Sequence, residues 1–236
     1  GKYIATLNND AIAERDWIKN LISVAEKRED MAMFAPKILS YSNTNLIESS
    51  GMLVYPDAAA KCRGYLEKSG EKYNKMEEIL LPSACAALYR KDILLTAGLF
   101  DDDYFAYCED IDLGLRIRLL GFGCIYVPGA KIYHHYSATS RNNLPFKIYL
   151  IERNRLWTLI KIFPWTNLIL SPVYTLKRYL SYCYAVISHK DPPRQFYKKM
   201  PGLKIALILL KVYGSTSLNL IKLFKKRSQI MRNKKM

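Results

Sequence analysis

Short apolar runs alternate with stretches of helical spacing over roughly the first 144 positions. Tyr3-Ile4-Ala5-Thr6-Leu7 reads as a buried strand that ends at Asn8-Asn9-Asp10. Asp16-Trp17-Ile18 then opens a helical pattern that continues through Leu21, Ile22 and Ala25. Met31–Ile38 predicts the next strand, with Pro36 near its end. Residues 40–80 are polar and turn-rich with weak periodicity, which suits hairpins and loops around a binding cleft. Ala84–Tyr89 predicts a short strand, and Arg90-Lys91-Asp92 starts a helix that ends near Gly98. In Asp110–Leu120, Ile111, Leu115 and Leu119 recur every four residues, as do Leu113 and Ile117, and Gly121 is a stop signal. Cys124–Val127 and Lys131–His134 predict two strands separated by Pro128-Gly129. Helices alternating with short apolar strands imply a layered α/β domain, and no internal repeat is visible.

From about Pro145 the pattern turns helical and apolar, with scattered Lys and Arg. Lys204, Lys211, Lys222, Lys225 and Lys226 fall on one helical stripe, and Gly214 predicts a break into two shorter helices. Charge marks the same division. Residues 1–144 carry 17 basic and 19 acidic side chains, whereas 145–236 carry 19 basic and only two acidic ones, Glu152 and Asp191. The expected organisation is a nearly neutral domain over 1–144 followed by a basic, apolar helical region over 145–236. A uniformly basic nucleic-acid binder is a poor description, and the tail lacks the aromatic–basic interleaving of known nucleic-acid modules, so no nucleic-acid partner is expected. The longest uncharged apolar stretch, Ile162–Leu176, has 15 residues and two prolines, short of the roughly 20 that a spanning helix needs. The five cysteines are widely spaced without a CxxC pair, which reads as reduced, mostly buried thiols. The chain opens Gly1-Lys2-Tyr3 and enters a strand at once, leaving no room for a signal peptide; the expectation is a start inside a longer protein.

Three places hold candidate chemistry. Asn8-Asn9-Asp10 follows a buried strand, where a carboxylate can meet a hard divalent cation and, through it, a diphosphate; the plain alternative is a strand-to-helix turn. Glu109-Asp110-Ile111-Asp112 crowds three carboxylates into four residues. A helix N-terminus, a cation or a substrate hydroxyl would offset their repulsion. Glu109 or Asp110 is then a candidate general base, and the alternative is an acidic helix start. His134-His135 closes an apolar strand, and neutral imidazole is a common metal ligand; the alternative is a polar strand end.

Each signal is weak, but their joint order is specific. After Leu7-Asn8-Asn9-Asp10 come Gly98-Leu99-Phe100-Asp101, Tyr104-Phe105-Ala106-Tyr107-Cys108-Glu109-Asp110-Ile111-Asp112-Leu113, Arg116 and Gly121-Phe122. Then follow Tyr126-Val127-Pro128-Gly129-Ala130 and Tyr133-His134-His135 with Ser137-Ala138-Thr139, and later Glu152-Arg153-Asn154-Arg155. This series, from about Tyr3 to Arg155, closely resembles family 2 glycosyltransferases of the rhamnosyltransferase-like branch. The resemblance implies a GT-A-like (Rossmann-like) mixed sheet flanked by helices, and inverting sugar transfer from a nucleotide-diphosphate sugar. It puts Asn8, Asn9 and Asp10 at the Asp-x-Asp-like motif that meets the donor, with Mg²⁺ or Mn²⁺ held by Asp10 and His134. Asp110 matches the catalytic base, with Glu109 placing it or touching the acceptor. Asp112 is expected to pair locally with Arg116. Family members also carry the first βαβ units and most of the nucleotide-base pocket ahead of this region. The fold is therefore expected to be incomplete at its N-terminus, and the isolated chain is expected to show little transfer.

For the basic end, interfacial helices fit better than nucleic-acid binding: Lys and Arg attract anionic head groups while Leu, Ile, Trp and Tyr enter the acyl boundary. The expectation is a glycan or lipid-linked acceptor in cell-surface polysaccharide synthesis. Residues 156–236 would lie on the cytoplasmic, inner face of the cell membrane. The alternatives are helices packed on the domain with a solvated lysine face, and a non-catalytic membrane-surface or partner-binding relative.

Overall fold

The structure is a computed structural model that describes residues 1–135, 144–187 and 202–234. It comprises two units, one of residues 1–54, 60–139 and 230–236, the other of 55–59 and 140–229.

The first unit is built on a mixed sheet. Its strands are β1 (Tyr3–Leu7), β2 (Ala11–Ala13), β3 (Met31–Ser40), β4 (Ile47–Ser49), β7 (Glu77–Ile79), β8 (Ala86–Arg90) and β9 (Gly123–His134). The order is β1-β8-β3-β9-β2, with β4 on β3 and β7 on β9. The β3–β9 pair is parallel; the others are antiparallel. Two short strands, β5 (Met52–Val54) and β6 (Ala60–Cys62), pair separately. Helix α1 (Trp17–Ala25) covers one face, where Trp17, Leu21 and Ala25 meet Phe34, Ile38, Ile125 and Ile132. Helices α2 (Lys91–Thr96) and α3 (Glu109–Leu119) cover the other, where Leu94, Ile111, Leu113 and Ile117 meet Met33, Ala35, Tyr89 and Tyr126. Alternate residues of β3 thus enter opposite cores, which is why its sequence is apolar almost throughout.

The pattern-based elements mostly match, with three corrections. Cys124–Val127 and Lys131–His134 belong to one strand, β9. Its register against β3 jumps at Pro128-Gly129-Ala130, so the turn-like dipeptide makes a bulge instead of ending the strand. The turn at Asn8-Asn9-Asp10 leads not directly to a helix but to β2, which returns antiparallel to β9. Gly214 does not break its helix, as described below. Glycine is required at Gly114: a Cβ there would lie 2.7 Å from Leu81 Cβ, so α3 approaches the 81–85 segment closely.

The second unit is helical: α4 (Leu144–Ile162), α5 (Trp165–Ile187, containing Pro172), α6 (Gly202–Leu218) and most of α7 (Leu220–Arg232). Ile148, Leu156 and Leu159 of α4 bury against Ile208 and Val212 of α6, together with Ala58. The break falls at Asn219, with a 64° bend between α6 and α7, while Gly214 sits inside α6. Asn219 donates from its side chain to the Ser215 carbonyl at 2.8 Å, so a polar side chain competes with the helix ladder there. The predicted lysine stripe therefore does not lie along one straight axis. Among the described residues no single helix is long and apolar enough to cross a membrane; the bent pair α6–α7 passes on length and composition. Ile169, Val173, Leu176 and Leu180 form an exposed stripe on α5, and Leu203, Leu207 and Leu210 another on α6.

Candidate active site

The carboxyl ends of β1, β3 and β9 lie at one edge of the sheet, beside the start of antiparallel β8, as the register pairs Leu7 with Ala86 and Ser40 with His134. In open α/β sheets this edge is where ligands bind. Asp10 sits in the turn between β1 and β2, and Ala11 pairs with His134. The Asp10 carbonyl accepts from the His135 N–H at 2.9 Å, and Asp10 Oδ1 lies 3.0 Å from His134 Nε2. Asn8 and Asn9 are exposed on the same turn, and the Asn8 N–H donates to the Cys85 carbonyl at 2.8 Å.

The other ring nitrogen of His134, Nδ1, makes a short contact with Glu48 Oε1. His134 and Glu48 are both buried. Burial works against the imidazolium, but the Cys85 thiol and the Glu48 carboxylate outweigh it and raise the His134 pKa above the usual histidine range. Cys85 is itself shifted upward, chiefly by burial.

Asp110 approaches from α3. Its Oδ2 accepts from the Ala84 N–H at 3.2 Å and its Oδ1 from the Ile111 N–H at 2.9 Å. Ala84 and Cys85 are adjacent, one bonded to Asp110 and the other to Asn8, whose turn brings Asp10 to His134. This dipeptide therefore ties the two predicted halves of the site to a single edge. The Cys62 thiol reports the same convergence: burial first, then the Glu48 and Asp110 charges, push it up to about 12.

Burial raises the Asp110 pKa, against the backbone hydrogen bonds that favour its charged form. Glu109 is pushed up to about 7, by burial first and then by the Asp110 charge. Glu109 Oε2 is a buried atom with no hydrogen-bond partner among the described residues. Both carboxylates lie in the first turn of α3, where the helix N-terminus offsets part of their charge. The chain enters that turn through left-handed backbone at Phe105, Tyr107 and Cys108, all non-glycine residues with φ of 62–66°. Such strain persists only where surroundings enforce it, and it clusters at active sites.

Asp112 has another task. It is fully buried; its Oδ2 accepts from Arg116 Nε at 2.8 Å and its Oδ1 from the Tyr104 hydroxyl at 3.2 Å. Arg116 also holds the carbonyls of Ala97 and Leu99. The pair predicted from i,i+4 spacing is therefore a structural tie between α3 and the turn after α2. Ser137-Ala138-Thr139 lies outside the described residues.

Among the described residues no three His, Cys, Asp or Glu side chains converge as a closed metal cage. Asp10 Oδ1 and His134 Nε2 lie 3.0 Å apart, with Asp10 partly exposed, so one carboxylate oxygen and one imidazole nitrogen are the donors this edge could offer an ion. That donor set suits Mg²⁺ or Mn²⁺ completed by diphosphate oxygens and water, since such ions take few protein ligands and keep several outer ones. Sequence reasoning missed Glu48, Cys62 and Cys85. Glu48 lies in the turn-rich 40–80 stretch, where no periodicity announces what a side chain faces.

No protein-family model matches the chain. It is 42% identical over 53 residues to the N-acetylglucosaminyl-diphospho-decaprenol L-rhamnosyltransferase of Mycobacterium tuberculosis, covering 22% of this chain and 17% of that protein. It is 23% identical over 158 residues to the O-antigen biosynthesis protein RfbC of Myxococcus xanthus, covering 60% of this chain and 11% of that one. A crystal structure of GalNAc-T7 with UDP, GalNAc and Mn²⁺ superposes with a TM-score of 0.50 at 13% identity, over 68% of this chain and 32% of that one. The chain thus spans a minor part of each relative's length. With its sheet, its converged edge and these similarities in view, the chain has a GT-A-like fold and resembles family 2 glycosyltransferases of the rhamnosyltransferase-like branch.

Proposed function

We propose that this chain is the metal- and acceptor-side part of an inverting glycosyltransferase that moves a sugar from a nucleotide-diphosphate donor to a hydroxyl of a glycan or lipid-linked acceptor in cell-surface polysaccharide synthesis. The observation that carries the reading is that Asp110 is held at Ala84 while the turn carrying Asp10 to His134 is held at the adjacent Cys85, at one sheet edge. Asp10 and His134 would hold Mg²⁺ or Mn²⁺, with Asn8 and Asn9 on the same donor-facing turn. When bound, that ion supplies Lewis-acid compensation for charge growing on the leaving diphosphate.

The chain's own residues supply the base. Asp110, held by two N–H groups, takes the proton of the acceptor hydroxyl as its oxygen bonds to the anomeric carbon. The bond from that carbon to the diphosphate breaks with its electron pair, releasing the nucleoside diphosphate. A single displacement with one base inverts the configuration. The proton affinity of Asp110, raised by burial, suits proton capture.

The exposed apolar stripes of α5 and α6, in a region with 19 basic and two acidic residues, support contact with an anionic membrane surface through 156–236. The reading places that contact at the cytoplasmic face, where a lipid-linked acceptor would be presented. The test is sugar transfer by the full gene product with and without Asp110→Asn. A loss of about 10²–10⁴-fold in kcat is expected for removal of a general base; unchanged transfer would overturn the assignment.

A further inference from the structure

Glu48 occupies an irregular place in the sheet. In the β3–β4 pair, Ile38 stands opposite Ser49 and Leu39 opposite Ile47, so the register skips Glu48. A regular antiparallel ladder would pair Leu39 with Glu48. The extra residue is a β-bulge, the device by which sheets re-aim a side chain beside a functional site. Here the carboxylate meets His134 Nδ1, two strands away, while the opposite ring nitrogen faces Asp10. A buried acidic side chain costs stability unless it is compensated. Its second oxygen, Oε2, is buried with no hydrogen-bond partner among the described residues, so local packing alone does not account for this carboxylate.

We propose that Glu48 is a positioning residue for His134: by accepting the Nδ1 proton from the bulge of β4, it fixes the ring orientation and directs Nε2, beside Asp10, to the metal side of the site. The proposal rests on the reading of Asp10 and His134 as the metal-facing pair. Carboxylates behind ligating histidines set the tautomer and raise ligand basicity, and their removal typically weakens metal binding about 10–100-fold. Glu48 touches neither donor nor acceptor in this scheme and acts only through the ring.

The experiment titrates the full gene product with Mn²⁺ alone, reading free Mn²⁺ by electron paramagnetic resonance. The expected result is a dissociation constant weakened about 10–100-fold in Glu48→Gln and Glu48→Ala, with binding lost in His134→Ala. Wild-type affinity in both Glu48 variants, alongside loss in His134→Ala, overturns the role of Glu48 and leaves the metal reading standing. Wild-type affinity in His134→Ala removes the metal reading, and the proposal with it. Should the Glu48 variants fail to fold, nitrogen-15 spectra of the Mg²⁺-loaded wild-type protein decide the matter. The proton must sit on Nδ1 of His134, and the opposite tautomer overturns the proposal.

Discussion

In the helical unit, buried carboxylates face guanidinium groups. Glu152 Oε2 accepts from Arg155 Nε at 2.9 Å, and Arg178 reaches both Glu152 oxygens at 2.9 and 3.1 Å. Asp57 Oδ2 accepts from Arg178 Nε at 2.9 Å, and the Asp57 carbonyl from Arg155 at 2.7 Å. In the sheet unit, Glu109 and Asp110 lie side by side, and among the described residues backbone N–H groups and a helix terminus are what offset them. The pKa directions differ accordingly. Burial would raise Glu152, but Arg155 and Arg178 outweigh it and hold it below the ordinary range, whereas burial and like charge carry Glu109 up to about 7. The same residue type is held charged in one place and close to protonation in the other. A closed network stabilises structure; an open one keeps proton affinity available for chemistry.

Several changes would break or sharpen this contrast. The largest expected effect is on catalysis: Asp110→Asn should lower kcat by about 10²–10⁴-fold while leaving the melting temperature unchanged or higher, because an under-compensated buried charge is removed. A lowered melting temperature would place Asp110 with the structural carboxylates. Next comes Glu152→Ala, which takes one of two buried carboxylates, the other being Asp57, away from Arg155 and Arg178. It should cost about 3–5 kcal/mol in denaturant unfolding, and a cost under about 1 kcal/mol would show that the network is not stabilising.

The pH responses should have opposite signs. Glu109 is raised in the folded state, so between its ordinary value of 4.5 and about 7 the folded protein holds the extra proton. Its contribution to stability is therefore lost as pH rises through that window, and Glu109→Gln should flatten the decline. Glu152 is lowered, so its contribution is present above its ordinary value of 4.5 and is lost as pH falls through its folded value. Transfer rate should rise with pH through about 7 as the Glu109–Asp110 pair loses its proton, and Glu109→Gln should move that limb to lower pH. A limb unmoved by Glu109→Gln would uncouple the two carboxylates. The smallest effect on folding is expected from Leu176→Glu with Leu180→Glu on the exposed α5 stripe, within about 0.5 kcal/mol per site. Recovery on anionic liposomes should nevertheless fall; unchanged flotation would leave the stripe to some other surface.

Much of the sheet domain was legible because its strands are short, apolar and punctuated. Tyr3–Leu7, α1 and α3 appear where periodicity put them. The Asp112–Arg116 pair followed from helical spacing, which is a local property. The bulge at Pro128-Gly129-Ala130 was not legible as such, because those residues make a turn just as readily. The parallel pairing with β3 holds the strand on course. The bend at Asn219 was likewise hidden behind the better-known helix breaker at Gly214.

The sequence by itself determined the elements, the division of charge and the residue types from which a site can be made, since each depends on neighbours a few positions apart. Tertiary structure alone decided which of those residues meet. Glu48 reaches His134 across 86 positions and Asp10 across 124, because sheet register and one bulge bring them together. The fates of the carboxylates were decided the same way. Asp112 and Glu152 were closed off by guanidinium groups, while Asp110 was left at the sheet edge with its proton affinity raised, since burial and partnering are properties of the packed molecule.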